Sequence, residues 1–303
     1  MSLFVDLQAV LPASIETHIP PKLSSPVRIQ EYGVGIFQKA FTKSALKKAL
    51  KKGLVTVNSQ IASTATYIYG GEEIVLHVPA VKVSQKELIL PLSVLYEDDY
   101  LAVIEKPAGI LVSGNSFMTV ANALPQNLRE STLPDTTRPW PIHRLDYPTT
   151  GVLLVGKTNS SIRLLSKLFE KKKIEKIYMA VTIGSICGSG LIEKEIDGRN
   201  AASHYEVCQS VASERFKSLN LVMLTPHTGR RHQLRKHLAS INSPILGDRD
   251  YGIGGLVLKG KGLYLHAHSL RFEHPFTKQE IFVASPLPKK YGKIIPSRTG
   301  TVV

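Results

Sequence analysis

Cysteine is all but missing from these 303 residues. Cys187 and Cys208 are the whole supply and no C-x-x-C pair occurs. That excludes a disulfide framework and the common zinc arrangements, and it leaves both thiols to be read as small buried hydrophobes. Long apolar runs are missing too. None approaches the roughly 20 residues of a membrane helix, and the opening MSLFVDLQAV lacks the basic flank and small-residue cleavage site of a signal peptide. The expectation is a soluble cytoplasmic chain with no membrane contact. Acid is the third shortage: 24 Asp and Glu face 38 Lys and Arg, a formal charge of +14. Unless the lysines are merely solvated, such a field attracts polyanions, whether RNA, DNA or an anionic membrane surface, so placement of the charge has to decide.

Hydrophobic residues make up 43%, ample for one large domain and a smaller one. Residues 1–27 carry Pro12, Pro20, Pro21 and Ser24-Ser25-Pro26 without sustained periodicity and read as an irregular lead-in. Residues 28–80 read as a small unit. In it Thr42 or Ser44 caps a helix with Leu46, Ala49 and Leu50 on its apolar stripe, and Gly53 ends it. Lys43, Lys47, Lys48, Lys51 and Lys52 take the rest of that helix's surface, and LVTVNSQIAS and EEIVLHV read as short strands. Residues 81–89 read as a linker, 90–292 as the main domain and 293–303 as a tail.

Within the main domain, YEDDYLAVIEKPAGILV suggests two strands and a bend at Lys106-Pro-Ala-Gly109, while 115–142 is loop-like with four prolines. NSSIRLLSKLFEKKK has helical spacing, KIYMAVTIG alternates as a strand, SLNLVMLTP is another, and HTGRRHQLRKHLASIN is basic and helical after Gly229. GLYLHAHSLRF and QEIFVAS close the chain as strands. No regular βα repeat runs through this order, which favours an α+β fold with a mixed sheet.

One stretch, HRLDYPTTGVLLVGKT at 143–158, holds two incompatible motifs. Its second half satisfies the G-x-x-x-x-G-K-T phosphate-loop pattern. However, Val152-Leu-Leu-Val155 prefers extended backbone and resists the dihedrals of a phosphate nest, so an NTPase is the remote reading. If 151–156 is a strand, His143, Arg144, Leu145 and Asp146 sit in the connection feeding it, where a rigid sheet positions polar groups around a cleft. An ordinary turn would also look like this. His143 as an acid–base group, and His266 with His268 as a metal pair, are rejected, since no Cys, Glu or further His completes a ligand set.

HRLDYPTTGVLLVGKT, KIYMAVTIG and HTGRRHQLRKHLASINSPILGDRDYG together resemble, in order, the signature stretches of the RluA-type family of RNA pseudouridine synthases. The resemblance covers roughly 90–290. It implies an α+β catalytic domain with a mixed, largely antiparallel central sheet. Residues 28–80 are similar to the small alpha-L RNA-binding domain of many members, with Thr42-Lys43-Ser44 where Ser-Arg-Ser is usual. By the same resemblance Asp146 is the catalytic nucleophile, attacking either the anomeric ribose carbon or carbon six of uracil. Tyr178 stacks on the base and assists proton removal from carbon five, and Arg235 orients the aspartate through paired hydrogen bonds. Read from residues alone, Tyr178 is more readily a core tyrosine and Arg235 a solvated or phosphate-contacting charge. The implied substrate contacts are Arg144, Leu145, Arg230, Arg231, His232 and Gln233. The auxiliary RNA contacts are the lysines at 43, 47, 48, 51 and 52. The implied activity is a monomeric isomerase acting on structured ribosomal or transfer RNA, with no cofactor and no metal. The alternative is a non-catalytic RNA-binding or ribosome-assembly factor on the same fold.

Overall fold

The computed structural model describes residues 4–11, 14–78, 81–258 and 260–296. Contacts divide it into two compact units, Val5–Lys86 and a larger one from Glu87 onward.

In the smaller unit the helix Lys43–Lys51 begins where Thr42 Oγ1 accepts the Ala45 N–H at 3.2 Å, satisfying one of the free donors of the first turn. Leu46, Ala49 and Leu50 turn inward onto Ile29, Phe37, Val55, Ile68 and Ile74. Asn58 and Ser59, with φ of 46° and 65°, form the tight turn between the strands Val55–Val57 and Gln60–Ile61. The sheet gains a strand the sequence reading did not expect. Ser14–His18 pairs antiparallel with Ile74–Val78, so part of the supposed lead-in is structured. Its five residues alternate between half-buried and exposed, too short a pattern to stand out beside the prolines that follow. The supposed linker is likewise mostly strand: Val81–Leu88 pairs with Phe4–Leu11.

The larger unit holds, among the described residues, a ten-stranded mixed sheet. Its path runs Ser189–Glu193, Ala202–Ser213, Lys217–Pro226, Glu175–Ile183, Leu265–Glu273, Thr150–Thr158, Leu101–Lys106, Ser93–Glu97, with Thr136–Pro141 and Glu280–Ala284 branching off. Every pairing is antiparallel except one. Thr150–Thr158 meets Leu265–Glu273 in parallel at Thr150 with His266 and Gly151 with Ala267. Two hydrophobic clusters share the strand Leu265–Glu273, one holding Ala267 and the other Leu265, and Tyr178 packs against both.

Two further expectations are corrected. The stretch 115–142 is not plain loop: Thr119 caps a short helix at Val120–Ala123, and Thr136–Pro141 pairs with Thr150–Thr158. Pro139 is tolerated because the register shifts between Thr136 and Trp140, where no ladder N–H is required. Both cysteines are exposed rather than buried; Cys208 lies on an open face of the long strand Ala202–Ser213, whose burial alternates.

The 143–158 ambiguity is resolved by packing. Thr150–Thr158 is a nearly fully buried strand. Lys157 Nζ donates to Glu97 Oε1 at 2.8 Å and to the Asp98 carbonyl at 2.6 Å. Thr158 caps the helix Asn159–Glu170 in a reciprocal capping box. Lysine and threonine are thus committed to structural bonds, and the segment is a buried strand rather than a phosphate-binding loop.

Candidate active site

Asp146 lies in the connection between the Thr136–Pro141 and Thr150–Thr158 strands. The Thr149 N–H closes the turn on the Asp146 carbonyl at 3.0 Å. From below, the fully buried Lys106 ammonium donates to the carbonyls of Pro107, Tyr147 and Thr149 at 2.9, 3.2 and 2.8 Å. Burial pushes Lys106 down to about 8, and the nearby Asp146 carboxylate opposes that shift. Lys106 went unassigned in the sequence, where Lys-Pro-Ala-Gly read only as a bend.

The Asp146 carboxylate stands 3.8 Å from Arg235 Nη1 and 3.8 Å from His232 Nε2. Arg235 was expected to grip it by paired hydrogen bonds. Those bonds go instead to Asp248, from Nε and Nη2 at 2.7 Å each, and Nη2 also reaches Asp250 at 2.7 Å. Asp248 is almost wholly buried, and a buried carboxylate demands such a partner. Nη1 is left facing Asp146, so Arg235 acts as a fixed positive charge rather than a clamp. Its guanidinium also lies 5.0 Å over the Tyr251 ring.

This arrangement has a pH consequence. The Arg235 and backbone bonds outweigh desolvation and hold Asp248 below its ordinary value. Because its folded value lies below the unfolded one, its stabilisation is complete above about pH 4 and is lost as pH falls through the folded value. Urea midpoints measured from pH 7 downward should show an acid limb that flattens in Asp248→Asn, which is also less stable at neutral pH by about 3 kcal/mol because Arg235 loses its buried partner.

Tyr178 sits in the Glu175–Ile183 strand opposite Leu224 and Ala267. Its hydroxyl has no hydrogen-bond partner among the described residues. Burial first, and Asp146 second, push its ionisation far up. His232 takes a left-handed backbone, φ 54° and ψ 27°, at the start of the helix Gln233–Ser240. That helix begins later than Gly229 because Gln233 Oε1 binds the Thr228 hydroxyl at 2.6 Å and the Arg230 N–H at 2.9 Å, shaping a loop first.

A cavity of about 500 Å³ is lined by Arg144, Asp146, Tyr178, Arg230, His232 and Arg235, among others. Arg231 also borders it and is exposed, as is Arg144, while Arg230 Nε donates to the Asn200 carbonyl at 3.1 Å. Two expected substrate contacts have other duties. Leu145 is packed in the core. The Gln233 amide spends its remaining donors on the Ala202 carbonyl and Ser203 Oγ at 2.9 and 2.8 Å, so its hydrogen-bonding capacity is full. In the smaller unit Lys43 pairs with Glu31 at 2.6 Å; Lys48, Lys51 and Lys52 are exposed and Lys47 half-buried.

The histidines set aside in the sequence have structural partners. His143 Nε2 accepts the Leu154 N–H at 3.1 Å, its ring stacks on Phe169 at 4.7 Å, and burial lowers it to about 3. His266 bonds Thr150 Oγ1 at 2.8 Å, and His268 bonds the Ser285 carbonyl at 2.8 Å.

Residues 100–240 match the model of a family described as RNA pseudouridylate synthase. An RNA pseudouridine synthase of Aquifex aeolicus is 34% identical over 271 residues, spanning 80% of this chain and 84% of the relative. The ribosomal large subunit pseudouridine synthase D of Vibrio cholerae is 33% identical over 279 residues, spanning 82% and 84%. Among solved structures, human RNA pseudouridylate synthase domain containing 4 superposes with a TM-score of 0.54 at 25% identity, covering 66% of this chain and 90% of that one.

Proposed function

This chain belongs to the RNA pseudouridine synthase family, and on that premise we propose that Asp146 is the nucleophile of its reaction and that its substrates are uridines of large-subunit ribosomal RNA. The enzyme is an isomerase that converts uridine to pseudouridine in RNA. The observation that carries the assignment of Asp146 is its setting: a carboxylate 3.8 Å from a fixed guanidinium, in a cavity also lined by Tyr178, whose hydroxyl has no hydrogen-bond partner among the described residues. A carboxylate is ionised at neutral pH and needs no base to activate it. Tyr178 offers its ring to the uracil face. The reaction rearranges one nucleotide, so the reading calls for neither cofactor nor metal. A monomer in the cytoplasm is part of the same reading.

A uridine within folded RNA must leave its stack to reach Asp146, at a cost of a few kcal/mol. Phosphate contacts offset that cost. Arg230 and Arg231 at the cavity rim, the Lys171–Lys173 cluster, and the helix-borne lysines of the smaller unit supply them, with Val5–Lys86 acting as an auxiliary RNA-binding domain of the alpha-L kind. Arg144, exposed beside Asp146, fills the space the extruded base leaves. The choice of large-subunit ribosomal RNA follows the name of the Vibrio cholerae relative.

Pseudouridine mapping across ribosomal and transfer RNA, from cells with and without the protein, tests the substrate. Sites confined to large-subunit RNA should disappear; loss restricted to transfer RNA would overturn the assignment. Affinity for the identified RNA should fall roughly 10³-fold between about 50 and 200 mM salt, as displacement of several counterions demands, and a flat salt response would remove the lysines from the interface.

A further inference from the structure

A uridine that swings into the cavity leaves the nucleotides beside it without a stacking partner. A protein surface that replaces the lost stack lowers the cost of extrusion. We propose, building on the assignment of Asp146 as nucleophile, that Tyr147 is such a surface. Its ring stacks on an unpaired nucleobase flanking the target uridine and thereby helps to select which uridines reach Asp146.

Tyr147 differs from other tyrosines of the larger unit. Tyr96 donates to Asp98 at 2.8 Å, Tyr100 stacks on Phe276 with ring centroids 4.1 Å apart, and Tyr264 packs with Tyr291 at 5.4 Å. Tyr147 is 55% exposed, and its side chain makes no hydrogen bond, ion pair or ring contact among the described residues. A scattered exposed aromatic needs no explanation. This one follows Asp146 directly, so its Cα lies about 3.8 Å from that of the nucleophile.

The root of the side chain is rigid. The Tyr147 carbonyl accepts the Lys106 ammonium at 3.2 Å and the Gly109 N–H at 2.9 Å. The Thr149 N–H closes onto the Asp146 carbonyl at 3.0 Å, and Pro148 biases the Tyr147 backbone toward extended conformations. Gly109 puts no side chain beside the ring; a β-carbon there would stand 3.9 Å from Tyr147 Oη. An aromatic with two rotatable bonds on a fixed backbone loses little freedom when a base covers it.

The chemistry of the surface picks its ligand. Arg144, exposed two residues before Asp146, is the cation that enters the vacated gap. Tyr147, one residue after it, presents an uncharged π face, which suits the face of a base rather than a phosphate. Stacking strength sets preference at such a surface, so a purine at the flanking position should be favoured over a pyrimidine.

The test uses the full chain and a synthetic hairpin spanning the uridine that pseudouridine mapping identifies, whichever RNA holds it. Tyr147→Ala should lower kcat/KM by about 5- to 150-fold, the equivalent of roughly 1–3 kcal/mol for one base–aromatic stack. Tyr147→Phe, which keeps the ring, should match the parent. An abasic nucleotide at one of the two positions flanking the uridine should lower the parent by a similar factor and leave Tyr147→Ala unaffected. A tyrosine with a merely structural role would give losses that multiply instead. Tyr147→Leu, apolar but without a π face, should repeat the alanine result, so a folding defect in one variant does not decide the matter. Binding alone gives a second readout in the Asp146→Asn background. There 2-aminopurine at the flanking position should be quenched with Tyr147 or Tyr147→Phe and remain bright with Tyr147→Ala. Unimpaired Tyr147→Ala, losses that multiply at both flanking positions, or an impaired Tyr147→Phe, which would make the hydroxyl the contact, would each overturn the proposal. Turnover by Asp146→Asn would overturn the nucleophile instead, and the quenching would still report on Tyr147.

Discussion

Asp146→Asn should abolish pseudouridine formation while leaving the protein folded and able to bind RNA. An amide of the same shape has no nucleophilic oxygen of comparable strength, and removal of a reaction's nucleophile lowers turnover by at least about 10⁴-fold. The fold should tolerate the change because the Asp146 side chain makes no hydrogen bond among the described residues. Its nearest cations stand 3.8 Å away, and Arg235 keeps both Asp248 and Asp250. The buried Lys106 loses a nearby negative charge but keeps its three carbonyl acceptors, so the melting temperature should move by no more than a few degrees, about 1 kcal/mol. RNA affinity should hold, since the phosphate-facing arginines and lysines are untouched. Pseudouridine mapping, a thermal melt and a binding titration on one preparation separate the outcomes. A non-catalytic assembly factor on this fold requires the substitution to be silent in cells, and that result would displace the nucleophile reading.

Local signals carried much of the fold. The Thr42 cap, the inward faces of Leu46, Ala49 and Leu50, and the strands around Leu153 and Val181 follow from residue type and period, because each depends on neighbours within a few positions. The pieces that escaped depend on distant partners. Ser14–His18 is a strand because Ile74–Val78 offers it an edge. Lys106 matters because the chain returns at Tyr147 and Thr149 to lay carbonyls around its ammonium. At the site, the family resemblance carried by HRLD and HQLR, rather than the residues by themselves, pointed to Asp146 and Arg235, and the fold brings both to one cavity with Tyr178. What spacing could not convey is the division of Arg235 between neighbours. The aspartates of GDRDYG take its hydrogen bonds, so the charge reaching Asp146 is held from behind. The engagement of His232 with Tyr251 was hidden for the same reason: a histidine in a basic run has no sequence mark of the ring it will meet.

The other large effect should come from a methyl group. Gly151→Ala should destabilise the larger unit by at least about 4 kcal/mol and lower its melting temperature by roughly 10 °C, although it changes no polar group. At Gly151 the strand crosses its parallel neighbour, and a β-carbon there would sit 2.1 Å from the Ala267 carbonyl oxygen, with φ at 111°. Backbone on both sides leaves nothing flexible to yield. Gly156→Ala offers the contrast: its β-carbon would meet the Ile162 side chain at 2.6 Å, which can partly shift, and the Ile162 backbone no closer than 3.0 Å, so the loss there should be smaller. The two glycines that spell a phosphate loop are therefore packing glycines, one for strand against strand within the sheet and one for strand against helix. The crossing at Gly151 also sets where Asp146 emerges, so a Gly151→Ala protein that still folds should lose activity through misplacement of the turn, with RNA affinity kept. A melt unchanged by Gly151→Ala would mean that the two strands do not meet as closely as 2.1 Å requires, and the placement of Asp146 would have to be sought elsewhere.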